Sequence, residues 1–189
     1  MQLKPFTLIQ DWMTPEEATD LFLELLTLPW QKEQLKLYGK THLMPRKVLW
    51  IADQGIQYRY ANKNHHPAPW PDALTQVRLR LQATVGCDFN GVLDNFYQDG
   101  NDYMGWHSDD EKSINDQFPI ASLSLGTTRK FKFRAKQDHS NQRDIALTNG
   151  SLLIMPAGSQ KHWQHTLPKM LKVTQPRINL TFRVMHSNS

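Results

Sequence analysis

The stretch GWHSDDEKSIND places one histidine, His107, and four carboxylates, Asp109, Asp110, Glu111 and Asp116, within residues 105–116. On an extended backbone, residues two apart project from the same side, so His107 and Asp109 can approach one metal ion from two directions. The alternative for this stretch is a solvated acidic turn. A third ligand must come from further along, and three histidines are available: His139 in KQDHSNQ, and His162 and His165 in KHWQHTLP. Two histidines and one carboxylate form the facial triad of non-haem Fe(II) oxygenases, which leaves positions open for a chelating co-substrate and dioxygen.

A second stretch, RINLTFRV, carries charge of the opposite sign. Ile178, Leu180, Phe182 and Val184 alternate with Arg177, Asn179, Thr181 and Arg183, the period of a strand with one apolar and one polar face. Such a strand can lie at the surface with its polar face wet. Two arginines on that face can instead clamp a small dianion, because the planar guanidinium pairs a carboxylate bidentately. Asn95 and Tyr97 are also two apart and can add neutral hydrogen bonds. The dianion consistent with both features is 2-oxoglutarate, chelating iron at one end and meeting arginine at the other.

These residues need a scaffold, and the period of the apolar residues changes along the chain. In MTPEEATDLFLELLTLPW, Thr14 is placed as an N-cap, Pro15 in the first turn and Glu17 as the partner in a capping box. Ala18, Leu21, Phe22 and Leu25 then share one face, and Pro29 closes the segment. A second helix is expected over 72–85, with Leu74, Val77 and Leu81 inward and Gly86 as its stop. Beyond residue 90 the period becomes two. NGVLDNFYQDG reads as a strand, PIASLSLGTTRKFKFRA as a hairpin, and GSLLIMPAG and RINLTFRV as further strands. Helices followed by many short strands predict a single α+β domain whose core is a jelly roll or related barrel.

Composition narrows the class. Lys plus Arg exceed Asp plus Glu by 22 − 18 = 4 in 189 residues, a mild basic excess compatible with a polyanionic partner. One cysteine, Cys87, excludes an internal disulfide and fits a reducing compartment. The first residues lack the apolar core of a signal peptide, and the longest apolar run, LLIM, is too short to cross a bilayer. A soluble cytoplasmic protein is expected, or a nuclear one in a eukaryote.

The ordered set NFY, HSD, a later His and RINLTFR resembles the AlkB family of Fe(II)- and 2-oxoglutarate-dependent dioxygenases. The likeness extends upstream through LYGKTHLMPRK and QYRY, and it is nearest the DNA-repair branch. It implies a double-stranded β-helix (jelly roll) core over about 91–185. Residues of about 1–90 would supply helices packed against that core and a base-recognition lid. It assigns the iron to His107, Asp109 and His165, and 2-oxoglutarate to Asn95, Tyr97, Arg177, Asn179, Thr181 and Arg183. It also implies that dioxygen and 2-oxoglutarate oxidise an N-methyl group on a damaged base, releasing formaldehyde, succinate and carbon dioxide.

The remaining expectations follow from that resemblance. Asp110 and Glu111 match positions facing the substrate, where a carboxylate favours cationic bases such as 1-methyladenine and 3-methylcytosine. Tyr38, Gly39, Lys40, Arg46, Tyr58 and Tyr60 match the lid that holds the extruded base. Arg46 and Lys40 are expected at phosphates, and Arg129, Lys130 and Lys132 along a phosphate track that competes with a solvated strand face. The loop RAKQDHSNQRD is shorter than in duplex-preferring relatives, which leaves strand preference open. The expected partner is alkylated DNA, acted on by a monomer with no membrane association. The alternatives are an RNA or nucleotide demethylase of the same chemistry, and a non-catalytic nucleic-acid-binding jelly roll.

Overall fold

The computed structural model describes residues 5–37, 40–56, 58–60 and 63–186, with side chains for all of these except 35–37, 40–42, 58–60 and 63–65. Helix α1 (Pro15–Leu25) begins at the expected capping box. Thr14 Oγ1 accepts from the Glu17 amide at 3.2 Å, and the Glu17 carboxylate accepts from the Thr14 amide at 2.9 Å. Two amide donors at the open helix end are thereby satisfied. Helix α2 (Asp72–Val85) ends on Gly86 at φ 70°, a left-handed conformation that costs glycine little.

The strands are β1 (Thr7–Ile9), β2 (Gln34–Leu37), β3 (Lys40–Leu43), β4 (Lys47–Ala52), β5 (Tyr58–Tyr60), β6 (Lys63–His65) and β7 (Gly91–Tyr97). They continue with β8 (Met104–His107), β9 (Ile120–Gly126), β10 (Arg129–Ala135), β11 (Gln142–Leu147), β12 (Ser151–Met155), β13 (Trp163–Leu167) and β14 (Arg177–Arg183). A six-stranded sheet has the order β1-β12-β9-β14-β7-β4, and a four-stranded sheet the order β11-β10-β13-β8. The pairs β2-β3 and β5-β6 form two small ribbons. All named strand pairings are antiparallel, an arrangement consistent with a jelly roll.

One face of the larger sheet shares a core with both helices. Leu123 of β9, Ile178 and Phe182 of β14 and Val92 of β7 cluster with Ala18, Leu21 and Leu25 of α1 and Leu74, Val77 and Leu81 of α2. A second cluster joins Ile120, Leu153 and Met155 of the larger sheet to Phe133 and Trp163 of the smaller one. Burying apolar area on both faces of the larger sheet leaves its inward polar side chains without bulk water. That sheet face carries the site.

Two expectations need correction. The segments 120–126 and 129–135 do not form a hairpin. β9 lies between β12 and β14 in one sheet, whereas β10 lies between β11 and β13 in the other. Gly126 makes the departure possible: it has φ 83°, and a Cβ there would come within 2.7 Å of the Pro176 carbonyl oxygen. The division near residue 90 is also crossed by the larger sheet, since β1 and β4 belong to it. β4 is buried on both faces, with Val48, Trp50 and Ala52 in one cluster and Leu49 and Ile51 in another. Among the described residues, no helix is long and apolar enough to cross a membrane.

Candidate metal and co-substrate site

His107 is the last residue of β8, and His165 sits at the centre of β13, directly opposite it in register. Directly opposed side chains on neighbouring antiparallel strands are in contact, and the two imidazole rings meet edge to face at 4.2 Å between centroids. Asp109 follows two residues after His107. Its Oδ1 lies 3.6 Å from His107 Nε2 and 3.9 Å from His165 Nε2, and one donor atom from each residue falls within 4.8 Å of the others.

The surroundings set the ionisation of these groups. His107 Nδ1 is 2.8 Å from the Gly105 carbonyl oxygen; donation of its N–H there leaves the Nε2 lone pair directed at the cluster. His165 is buried against Phe131 and Phe133. Burial first, and then the neighbouring His107, push its pKa down to about 3, so it is a neutral ligand at physiological pH. Burial acts to raise the Asp109 pKa, but Arg183, His165 and His107 together hold it well below the usual carboxylate range. Two imidazole nitrogens and one ionised carboxylate oxygen fit a divalent first-row metal such as Fe(II).

The neighbouring wall is built from β7 and β14, paired so that Asn95 faces Asn179 and Tyr97 faces Arg177. The polar side of β14 is fully enclosed, with Arg177, Asn179, Thr181 and Arg183 all buried, so the reading of this strand as a wet surface face is overturned. Asn179 Oδ1 accepts from Arg177 Nη2 at 2.7 Å and from Ser122 Oγ at 3.0 Å, and Asn179 Nδ2 donates to Thr181 Oγ1 at 2.8 Å. Arg177 Nη2 also donates to Ser124 Oγ at 2.9 Å. Ser122 and Ser124 had no signal in the sequence beyond alternating with leucines in SLSL.

Arg177 is 1% exposed, and its Nε has no partner. Among the described residues no carboxylate forms an ion pair with it. Burial lowers its pKa, and Tyr97 partly offsets that, leaving a value of about 10. The group is therefore a cation at neutral pH in an enclosed site, where an unpaired charge is costly. A bound carboxylate is the chemistry that would relieve it. The triad, Arg177, Asn95, Tyr97, Thr181 and Glu111 all line one cavity of about 130 Å³ between the sheets.

Other expected residues lie elsewhere. Arg183 belongs to the same wall, but its Nη2 is 2.9 Å from Asp109 Oδ2, so it faces the metal ligand. Asp110 does not line the cavity; its side chain is 60% exposed and pairs with Lys136 at 3.2 Å. Of Asp110 and Glu111, only Glu111 lines the cavity. Arg46 is buried, with Nε donating to Asn95 Oδ1 at 2.6 Å, and it lines the same cavity. Arg129 is fully buried and donates to the carbonyls of Asp99, Asp102 and Pro168, while Lys130 and Lys132 pair with Asp144. Arg129 is thereby removed from the expected phosphate track. His139 and His162 are exposed, outside the cluster. Tyr38 and Gly39 lie outside the described residues, as do the side chains of Lys40, Tyr58 and Tyr60.

Antiparallel sheets enclosing a His-Asp-His cluster beside a buried, unpaired arginine define a 2-oxoglutarate-type non-haem iron oxygenase. Residues 5–183 match the family described as the 2OG-Fe(II) oxygenase superfamily. Within that superfamily the chain belongs to the AlkB family. It is 38% identical over 183 residues to DNA oxidative demethylase ALKBH2 of Homo sapiens, covering 88% of this chain and 68% of that one. The corresponding protein of Bos taurus is 39% identical over 183 residues, covering 88% and 64%. Alpha-ketoglutarate-dependent dioxygenase alkB homolog 3 of Mus musculus is 35% identical over 185 residues, covering 93% and 62%. The chain thus spans about two thirds of the length of these relatives.

Solved structures agree on the fold. OsALKBH1 superposes with a TM-score of 0.68 at 17% identity, covering 97% of this chain and 100% of that one. A prolyl-4-hydroxylase of Pseudomonas putida gives 0.59 at 15% identity, covering 96% and 94%. The family implies Fe(II), 2-oxoglutarate and dioxygen, and His107, Asp109 and His165 are the residues that would hold the metal.

Proposed function

We propose that this protein is a DNA repair dioxygenase that oxidatively demethylates N-alkylated bases, 1-methyladenine and 3-methylcytosine among them. The observation that carries the reading is the single cavity holding the His107-Asp109-His165 cluster and the unpaired Arg177. The names of the ALKBH2 relatives, DNA oxidative demethylases, support DNA as the substrate. Bound Fe(II) with 2-oxoglutarate and dioxygen would supply oxidation of the N-methyl group, which leaves as formaldehyde with release of succinate and carbon dioxide.

The chain's own side chains perform the binding. Arg177 takes the distal carboxylate of 2-oxoglutarate, with Asn95, Tyr97, Asn179 and Thr181 shaping the polar wall around it. Glu111 draws the positively charged lesion towards the cavity, an attraction strengthened where water is excluded. A methyl group on the Watson–Crick edge is inaccessible in a duplex, so the nucleotide must be extruded. Tyr38, Gly39, Lys40, Tyr58 and Tyr60, on or beside the β2-β3 and β5-β6 ribbons, are the residues proposed to receive it. The protein is proposed to act as a monomer on cellular DNA.

The test is a demethylation assay on paired single- and double-stranded DNA and RNA oligonucleotides bearing 1-methyladenine or 3-methylcytosine. Restored base and formaldehyde should appear on DNA, dependent on Fe(II) and 2-oxoglutarate. Turnover confined to RNA would replace the DNA assignment. No turnover on any of these with metal bound would reject base demethylation.

A further inference from the structure

Between β12 and β13 a short 3-10 turn, Ser159–Lys161, brings Gln160 beneath the metal-ligand segment. The residue is 8% exposed. Its Oε1 accepts from the Asp109 backbone amide at 3.0 Å. Its Nε2 is 3.3 Å from both Met155 Sδ and Ser159 Oγ. A backbone N–H can be met only by the oxygen of the side-chain amide, so these contacts fix the orientation of the group.

The position matters because β8 ends at His107. The ladder to β13 that fixes His107 opposite His165 does not reach Asp109. The segment beyond β8 is held by other contacts: Ser108 Oγ donates to the Trp163 carbonyl at 2.9 Å, Arg183 meets Asp109 Oδ2, and Gln160 meets the Asp109 amide. Arg183 acts on the carboxylate and Gln160 on the backbone that carries it, so together they restrict both ends of the side chain. Gln160 and Asp109 also share the wall of a second cleft, with Ile114, Phe118 and Pro156. Replacements of similar volume therefore isolate the hydrogen bond from loss of that wall.

We propose that Gln160 is a positioning residue for the metal site, anchoring the Asp109 backbone so that Oδ1 stays between the two imidazoles. This rests on the reading of His107, Asp109 and His165 as a metal centre. Hydrogen-bond partners of metal ligands typically change metal affinity by roughly 10–100-fold when removed. The sequence offered no cue to Gln160, whose role depends on a turn distant in sequence from Asp109.

The experiment titrates the metal-free full chain with Co(II), reading the dissociation constant by calorimetry and the visible d–d absorption of the bound ion. Gln160→Met preserves volume and removes the amide acceptor; Gln160→Glu preserves an acceptor oxygen at the same reach. Gln160→Met should weaken Co(II) binding roughly 10–100-fold and alter the absorption band, with an unchanged melting temperature in the metal-free protein. Gln160→Glu should bind Co(II) much as the unaltered protein does. Equal affinity in Gln160→Met and the unaltered protein would overturn the proposal, as would an equal loss in both variants. A Gln160→Met chain that fails to fold, or melts well below the unaltered protein without metal, would also overturn it, because the hydrogen bond would then serve the turn itself. An unaltered chain that does not bind Co(II) would instead reject the metal centre.

Discussion

Arg183 Nη2 stands 2.9 Å from Asp109 Oδ2, with both side chains buried. The two arginines at the ends of β14 therefore have different surroundings. Arg183 neutralises the metal-ligating carboxylate, whereas Arg177 remains without a carboxylate partner among the described residues.

Their variants should separate accordingly. Arg177→Ala should raise the 2-oxoglutarate KM at least roughly 30-fold, since truncating one member of a buried charge pair costs about 2–5 kcal/mol. Arg183→Ala should chiefly weaken Co(II) or Fe(II) binding, because Asp109 loses its charged partner. Calorimetric titration with each ligand distinguishes the two effects. A pure 2-oxoglutarate defect in both variants would return Arg183 to the co-substrate clamp.

His107→Ala, Asp109→Ala and His165→Ala should each abolish turnover and stoichiometric metal binding. His162→Ala, at an exposed position, should retain both. Metal analysis of the purified variants alongside the oligonucleotide assay tests this. A chelator should inactivate the unaltered protein, and Fe(II) with ascorbate should restore it.

Selection for cationic lesions should depend on Glu111 and not on Asp110. Glu111→Gln should lower the ratio of kcat/KM on 3-methylcytosine to that on the neutral 3-methylthymine, with metal still bound. Asp110→Asn, at a site paired with Lys136 in the open, should leave the ratio within about twofold, as expected for an exposed ion pair. The reverse pattern would show that Asp110 turns inward when DNA is bound.

Asp94 supplies a pH test remote from the metal. It lies on β7 between Leu49 and Leu180 on the helix-facing side, fully buried, and neither carboxylate oxygen has a partner. Burial raises its pKa well above the ordinary value. Below the unfolded value, about 3.9, both states hold the proton and this acid's contribution to stability is fully present. As pH rises, the unfolded chain releases its proton first, and the fold loses about 1.4 kcal/mol per pH unit until the raised folded value is passed. Asp94→Leu should therefore raise the melting temperature, by an amount that grows as the pH rises above the unfolded value of about 3.9 and levels off once the raised folded value is passed. Paired melts across that range check it; a gain independent of pH would show that packing alone is responsible.

The chemistry was legible in the sequence where it depended on local spacing. His107 and Asp109 are two apart on one extended segment, and strict alternation in RINLTFR assigned each side chain to one of two faces. The capping box of α1 and the glycine stop of α2 are likewise local, because the groups that satisfy a helix end lie within a few residues of it. The choice of His165 over its neighbours came from resemblance to a family, and the structure places its ring against that of His107.

What the sequence could not determine were the relationships set by which strands pair. The apparent hairpin at 120–135 divides between two sheets at Gly126, and that division creates the enclosed space lined by β14. Alternation alone is the same for a wet strand face and a buried one. Only the opposing sheet encloses Arg177 and brings Gln160 to the Asp109 amide. Arg129, Arg46 and Asp110 show the same limit: a charged residue has one letter whether it meets phosphate, backbone carbonyls or a surface lysine. Its partner is decided by contacts between distant segments, which form only when burial of the apolar faces fixes the tertiary arrangement.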